Sequence, residues 1–393
     1  MSPFLLLCLT GFLAIFSTTM AKNPVLPFFA EHLGANPVAI GIVASLSPLA
    51  GVLVSLPAGI FSDYFGRMRL LKISALFFAL TPLGYLFISE IWQLALVRFL
   101  HGLATGIFVP VAMALVTDTF LAGRGERLGF MSSASQLGRF LAPLAGGILL
   151  TLPDNEAEGS GFTLVYLTCL LLGVLTALLV FRLPQAQPPP TTTNRSFRHS
   201  VRAVLQNRLV LQGCIMESAA LFAFGAFEAF FPQHVRTAGL GTEWAGGLMS
   251  VQVLAVALSK PLFGKLSDSH GRVRQIVLGA LLLGCIMLLM GQTGSIVTLA
   301  AASLGLGLAL SLTLAASSAF IADTSDADMR GASMGLLGAI MDIGHSTGPV
   351  VAGAVTASLG ASAGFASAGT VVLGTTLLFA FMTRNYTPKT ISP

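Results

Sequence analysis

Charge is scarce in this chain. Lys and Arg number 21 and Asp and Glu 16 among 393 residues, 9% of the sequence, where a soluble globular chain carries about 25%. So few charges cannot cover a water-facing surface of this size, which excludes two or three soluble domains. Disorder is excluded by a hydrophobic content of 54%. Cysteine is rare as well. Cys8, Cys169, Cys214 and Cys285 all fall within apolar runs, so they read as small core residues and not as a disulfide framework. The sequence also lacks a phosphate-cradling Gly-rich loop followed by Lys-Ser/Thr, His-x-x-x-His spacing, Cys pairs and Gly-x-Ser-x-Gly. ATP-driven work, a metal centre and nucleophilic catalysis therefore find no support, and neither an enzyme nor a cofactor is expected.

Long apolar runs are abundant. A bilayer span needs about 20 mostly apolar residues, and twelve candidates fall near 4–29, 38–61, 70–89, 92–117, 129–152, 162–181, 209–232, 244–266, 275–292, 295–320, 331–357 and 363–383. Apolar residues within them are continuous and not alternating, which excludes barrel strands. Residues 4–21 have no Lys or Arg before the apolar run, which argues against a cleavable signal. The formal net charge of +5 has a simpler source than nucleic acid. Basic residues collect on the cytoplasmic side of membrane proteins. With both termini in the cytoplasm, only Arg236 lies in an outer loop, and Lys22, Arg98 and Arg139 fall within spans. The expectation is a multi-pass protein of the cytoplasmic (inner) membrane, both termini cytoplasmic.

Between Arg182 and Arg208 the chain is polar, basic and broken by Pro188-Pro189-Pro190, as a linker would be. An internal repeat divides the sequence there. Gly59-x-x-x-Asp63-x-x-Gly66-Arg67-x-Arg69 returns as Gly264-x-x-x-Asp268-x-x-Gly271-Arg272-x-Arg274, a shift of 205. Gly138, Pro143 and Gly147 return as Gly344, Pro349 and Gly353, a shift of 206. Parallel repeats of six spans are a transporter pattern, with the substrate site between the halves. The expected units are an N-terminal six-helix bundle over 1–181, a cytoplasmic linker over 182–208 and a C-terminal six-helix bundle over 209–393.

At these residues the sequence resembles the major facilitator superfamily, over essentially its whole length. The Gly59–Arg69 loop resembles the superfamily's signature between spans two and three, departing at Phe61 and Tyr64. Arg98-x-x-His101-Gly102-x-x-x-Gly106 resembles the span-four motif of proton-coupled members. Gly129-x8-Gly138-x3-Ala142-Pro143-x2-Gly146-Gly147 resembles the span-five motif of antiporters. The resemblance implies an all-α integral membrane fold of twelve helices in two pseudo-symmetric bundles. It also implies gating loops at Gly59, Asp63, Gly66, Arg67, Asp268, Gly271 and Arg272. Helix-seam contacts are expected at Gly138, Pro143, Gly147, Gly344, Pro349 and Gly353, where small residues let backbones approach.

Charges inside spans carry the rest. Each costs about 2.5–3.5 kcal/mol at a helix centre on insertion scales, so it marks a pathway, a partner or a relay. Lys22, Arg98, Arg139, Glu217, Glu228 and Asp342 fall there, with His101 and His345. Three cations against three anions also permit plain structural pairing. Glu217 and Glu228 are eleven residues apart, which puts them on one helix face with Leu221 and Phe224 between. Asp342 and His345 share a face too. The proton-coupling candidates are Glu228, then Glu217, then Asp342 with His345. The substrate-binding candidates are Lys22, Arg98, Arg139 and Phe224. Members of the superfamily often carry an acid in span one, whereas this chain has Lys22, which either pairs with Glu228 or holds an anionic group. Phe222, Phe224, Phe227, Phe230 and Phe231 read as lining an apolar pocket or facing lipid.

The expected function is export of a small amphiphilic or organic compound in exchange for protons, by a monomer in the lipid bilayer. The alternative is proton-coupled uptake of a small organic anion. A receptor built on a transporter scaffold is a third reading, weakened by two intact loop signatures.

Overall fold

The computed structural model describes residues 2–119, 124–152, 160–184, 206–325 and 330–384; the side chains of 56, 59, 60, 63, 124 and 330–336 are not described. Thirteen helices make up the described chain. In order they are α1 (Pro3–Met20), α2 (Val25–His32), α3 (Pro37–Phe65), α4 (Arg67–Tyr85), α5 (Ile91–Thr119), α6 (Arg124–Leu149), α7 (Ser160–Phe181), α8 (Arg208–Thr237), α9 (Thr242–His270), α10 (Arg272–Met290), α11 (Ile296–Thr324), α12 (Arg330–Leu359) and α13 (Ala361–Thr383). Taken together, α1 and α2 form one rod from Pro3 to His32, so the thirteen helices of the described residues make twelve rods. Nine are long and apolar enough to cross a membrane by composition alone among the described residues. The expected spans hold, but several helices run past their apolar windows. The third span begins at Arg67 and not at 70, because Arg67, Arg69 and Lys72 are helical.

The break in the first rod is local chemistry. Pro24 has no N–H to donate and fixes its own φ, so the helix cannot run straight through Lys22-Asn23-Pro24. Helix α1 ends at Met20 and α2 starts at Val25. Irregular backbone at membrane depth is tolerated where it lines a cavity or is buried in protein, and Asn23 is indeed buried. Elsewhere, polar caps close the helix ends. The Asn36 side chain accepts from the Ala39 amide at 2.9 Å, and Asn207 does the same for Val210 at 3.3 Å.

The two halves pack alike. Helix α1 lies on α6, α3 on α5 and α4 on α7, while α8 lies on α12, α9 on α11 and α10 on α13. Their hairpins match in backbone as well: Gly66 turns at φ 91° and Gly271 at φ 89°. Positive φ is where glycine has no Cβ penalty, so the turns between α3 and α4 and between α9 and α10 need these two residues. The halves meet through α3 on α12 and α6 on α9. This architecture is two six-helix bundles with a cavity between them. The linker expected over 182–208 lies mostly outside the described residues.

Candidate transport site

Where the first rod breaks, one carboxylate gathers three partners. Glu228 on α8 is buried. Its Oε2 accepts from Lys22 Nζ at 2.5 Å and from His345 Nε2 at 2.7 Å, and its Oε1 accepts from Asn23 Nδ2 at 2.6 Å. Lys22 Nζ also stands 3.4 Å from His345 Nε2. Lys22 and Asn23 belong to the N-terminal half, and Glu228 and His345 to the other. Of the two roles open to Lys22, the structure displays the ion pair.

Below this cluster a cavity of about 510 Å³ runs between the halves, lined by Lys22, Arg98, Arg139, Glu228, Asp342 and His345 among its charged and titratable groups. Thr18, Thr19, Ser47, Ser55 and Thr105 add hydroxyls, and Val52, Val109 and Pro110 add apolar wall. Arg139 is solvent-exposed in this cavity, with no ion pair among the described residues. Asp342 lies against the other half, where a Cβ on Gly51 would meet its Oδ2 at 3.2 Å. Lys22 and Arg139 are the cations whose field acts on Asp342. Arg98 is 2% exposed. Its Nη1 donates to Tyr85 Oη at 3.3 Å, and that hydroxyl lies 3.3 Å from His101 Nδ1. Thus Arg98 and His101 do share a face, joined through Tyr85, which stacks on Tyr166 at 4.3 Å.

Two expected members stand apart. Glu217 lies three turns from Glu228 on α8 but is 1% exposed and accepts from Ser318 Oγ of α11 at 2.8 Å. Sharing a face does not bring it to the cavity, because its three-turn separation carries it past the cavity wall into the C-terminal bundle. Phe224 is not part of the cavity lining. Its ring packs on the His345 imidazole at 5.6 Å between centroids and so backs that residue. Phe222, Phe227, Phe230 and Phe231 are buried in protein and do not face lipid.

At the Gly66 and Gly271 turns, sequence reasoning missed the partners. Arg67 Nε donates to Asp118 Oδ2 at 2.9 Å, and Arg272 Nε donates to Asp323 Oδ2 at 3.0 Å. In each half the same guanidinium also donates through Nη1 to a serine, Ser62 or Ser267. The signal was available: Asp118 and Asp323 differ by 205, the repeat offset. Arg272 further pairs with Asp268 at 2.5 Å. Gly59 and the side chain of Asp63 lie outside the described residues.

The glycine and proline motif of α6 and α12 divides by depth. Gly138 packs inside its own half, where a Cβ would meet Phe16 N of α1 at 3.1 Å, and Gly344 packs on Ser218 of α8. Gly147 and Gly353 instead face the other half. A Cβ on Gly147 would stand 3.1 Å from Glu243 Cα, and one on Gly353 would stand 2.5 Å from Pro37 O. At Pro143, Ser250 of α9 enters the α6 ladder: its Oγ accepts from Leu144 N at 3.1 Å and donates to Phe140 O at 2.7 Å. A hydroxyl inserted into a helix ladder is a recognised cause of kinking. Arg236 and Gln233 of α8 both donate to Glu31 of α2 at this same end, at 2.5 and 3.1 Å. The halves are therefore closed at the end away from the Gly66 and Gly271 turns, and the cavity opens toward the turns. Among the described residues no cluster of three His, Cys, Asp or Glu offers a metal site.

Comparison with known proteins agrees with this geometry. The chain is 30% identical over 377 residues to the multidrug resistance protein MdtG of Salmonella arizonae, covering 93% of this chain and 90% of that one. It is 23% identical over 346 residues to an uncharacterized MFS-type transporter of Methanocaldococcus jannaschii, covering 86% and 87%. In fold it is similar to a bacterial homolog of the human lysosomal transporter Spinster, in an inward-facing and unoccupied conformation, with TM-score 0.81, 16% identity and 98% of each chain covered. The nucleoside transporter NupG (D323A mutant) gives TM-score 0.81 at 14% identity, covering 98% and 99%. The family model of the Major Facilitator Superfamily matches residues 7–251 and again 243–393, and the chain belongs to that superfamily.

Proposed function

We propose that this transporter exports a small amphiphilic or organic compound in exchange for protons by alternating access. The observation that carries the reading is Glu228, whose one carboxylate ties Lys22 and Asn23 of one half to His345 of the other at the apex of the cavity. Protonation there removes the charge that holds both halves, so proton occupancy and the closure of the far end become one equilibrium. Glu228 is the coupling carboxylate, and Asp342 with His345 relays protons between it and the open end. Glu217 serves this role only from outside the cavity. Arg67 and Arg272 act as latches at the turns, as do Asp63 and Asp268, and α6 and α12 form the seam on which the halves rock. The basic bias of the turn end supports cytoplasmic termini, which makes the present state inward-facing, with bundles over 1–181 and 209–393 joined by a cytoplasmic linker and acting as a monomer. Export is favoured by relatives named multidrug resistance proteins.

A second reading, proton-coupled uptake of a small organic anion, is favoured by Arg139, which lines the cavity with no ion-paired carboxylate among the described residues. Transport by the purified protein in liposomes, under an imposed pH gradient, separates the two. Gradient-dependent extrusion of amphiphilic dyes is the expected result. Accumulation of small carboxylates down the proton gradient replaces it with the second reading.

A further inference from the structure

A second cavity, of about 330 Å³, lies between α8 and α13 and shares no lining residue with the central one. Its walls are Leu211, Ile215, Leu378, Phe379 and Met382, with Thr375 at one end and Arg208 and Gln212 at the other. The rim opens outward. Ile215 is 43% exposed, Leu378 56% and Met382 48%, so the groove faces the acyl chains of the bilayer and not the transport path. From Thr375 to Met382 the groove follows about 10 Å of helix axis, enough for the upper part of one acyl chain.

Polar chemistry is confined to the end nearest the basic turns. Arg208 is the first residue of α8 and is exposed. Beside it, Gln212 Oε1 is shielded from solvent and has no hydrogen-bond partner among the described residues. Leaving such an acceptor unmade is unfavourable, because its desolvation goes uncompensated. An acyl chain satisfies the apolar walls and leaves both polar groups unanswered. A phosphodiester answers Arg208, and a headgroup hydroxyl beyond it donates to Gln212. Arg384, one residue past the end of α13, adds a second cation at this level.

We propose that this groove binds an anionic glycerophospholipid of the phosphatidylglycerol kind, with its phosphate on Arg208, a headgroup hydroxyl on Gln212 and one acyl chain between α8 and α13. The bound lipid fills a groove on the outer side of the helix that carries Glu228. It thereby couples the headgroup composition of the basic-side leaflet to the packing of α8.

The test is lipid retention by the purified full-length chain, read by native mass spectrometry after incubation with equimolar phosphatidylglycerol, phosphatidylethanolamine and phosphatidylcholine of matched acyl chains. Phosphatidylglycerol is expected to be retained about fivefold over phosphatidylcholine, the effect of one basic residue on an anionic lipid. Arg208→Gln should bring it to the phosphatidylcholine level, and Arg208→Lys should keep it. Leu378→Trp, which fills the groove and leaves the charge, should lower retention of every lipid. Equal retention of phosphatidylglycerol and phosphatidylcholine overturns the proposal. So does preference for phosphatidylethanolamine, which answers Gln212 without the net charge, and so does retention unchanged in both Arg208→Gln and Leu378→Trp. None of these readouts depends on transport, so they stand or fall apart from the direction of export.

Discussion

Asn23 and Glu228 are bonded to each other across the halves, Nδ2 to Oε1 at 2.6 Å, and they stand 205 residues apart, the offset of the repeat itself. Residues at equivalent positions that touch must lie close to the pseudo-twofold axis. Identical residues there would be two carboxylates, which repel, or two amides, which hold no charge. The chain has one of each, and adds Lys22 from one side and His345 from the other. Departure from symmetry at the axis is what gives the site a single removable charge.

Glu228→Gln keeps the shape and the hydrogen bond to Asn23 but removes that charge. Gradient-driven accumulation in liposomes should fall to background, while ligand binding and counterflow exchange persist. Full gradient-driven transport by this variant would take Glu228 out of the coupling mechanism.

The ion pair itself can be weighed by a double-mutant cycle. Lys22→Met leaves a buried carboxylate with one partner fewer and should cost about 3–5 kcal/mol. Lys22→Met with Glu228→Gln should cost less than the sum of the single changes by about 0.5–3 kcal/mol. Thermal unfolding in detergent reads both. Simple additivity would mean that the 2.5 Å contact contributes no coupling.

The far-end closure is tested at Gly147. Its missing Cβ lets α6 approach Glu243 Cα of α9, and Gly147→Val forces those backbones apart. The variant should fold but turn over at least about tenfold more slowly, which a loss of roughly 1.4 kcal/mol in this one contact suffices to produce. A cysteine at the exposed Trp244 position should label faster in the variant. Wild-type turnover and labelling would show that α6 and α9 do not form the working seam.

Fold and repeat were legible in the sequence, because hydropathy and glycine turns are local properties. Pairing was legible only where the repeat offset could be used. The offset of 205 relates Asn23 to Glu228 and Asp118 to Asp323. What stayed hidden is radial position. Glu217 and Glu228 are equivalent by helical spacing, yet Ser318 holds one inside a bundle and Lys22 holds the other at the cavity. Spacing gives the angle around a helix but not which neighbour stands there. The same gap concealed that Phe224 backs His345 and does not line the cavity.

Matching geometry at the two turns predicts matching but unequal effects. Asp118 is less exposed than Asp323, 26% against 40% at the side chain, so its pair with arginine is less screened by solvent. Asp118→Asn should slow turnover more than Asp323→Asn, by a factor of roughly three to ten for a charge-assisted bond of about 1.5–3 kcal/mol partly lost. Initial-rate measurements on both variants check this. A larger effect at Asp323 would reverse the argument from burial.

Arg139 decides between the two substrate readings. A guanidinium within the membrane region needs a carboxylate partner or a hydrated cavity, and here it has the cavity, facing Asp342 across it. Three cations against two carboxylates line that space, so an anionic group on the cargo meets attraction and a cationic one repulsion. Since Arg139 has no ion pair among the described residues, Arg139→Ala should leave thermal stability within about 0.5 kcal/mol of wild type. If the cargo carries an anionic group, the half-saturation concentration should rise about tenfold, the loss of roughly 1.4 kcal/mol of binding, and Arg139→Lys should recover part of it. If the cargo is a hydrophobic cation, the same change should lower the half-saturation concentration, because a repulsive charge has gone. A loss of about 3–5 kcal/mol of stability would instead reveal a paired, structural guanidinium and remove Arg139 from substrate recognition.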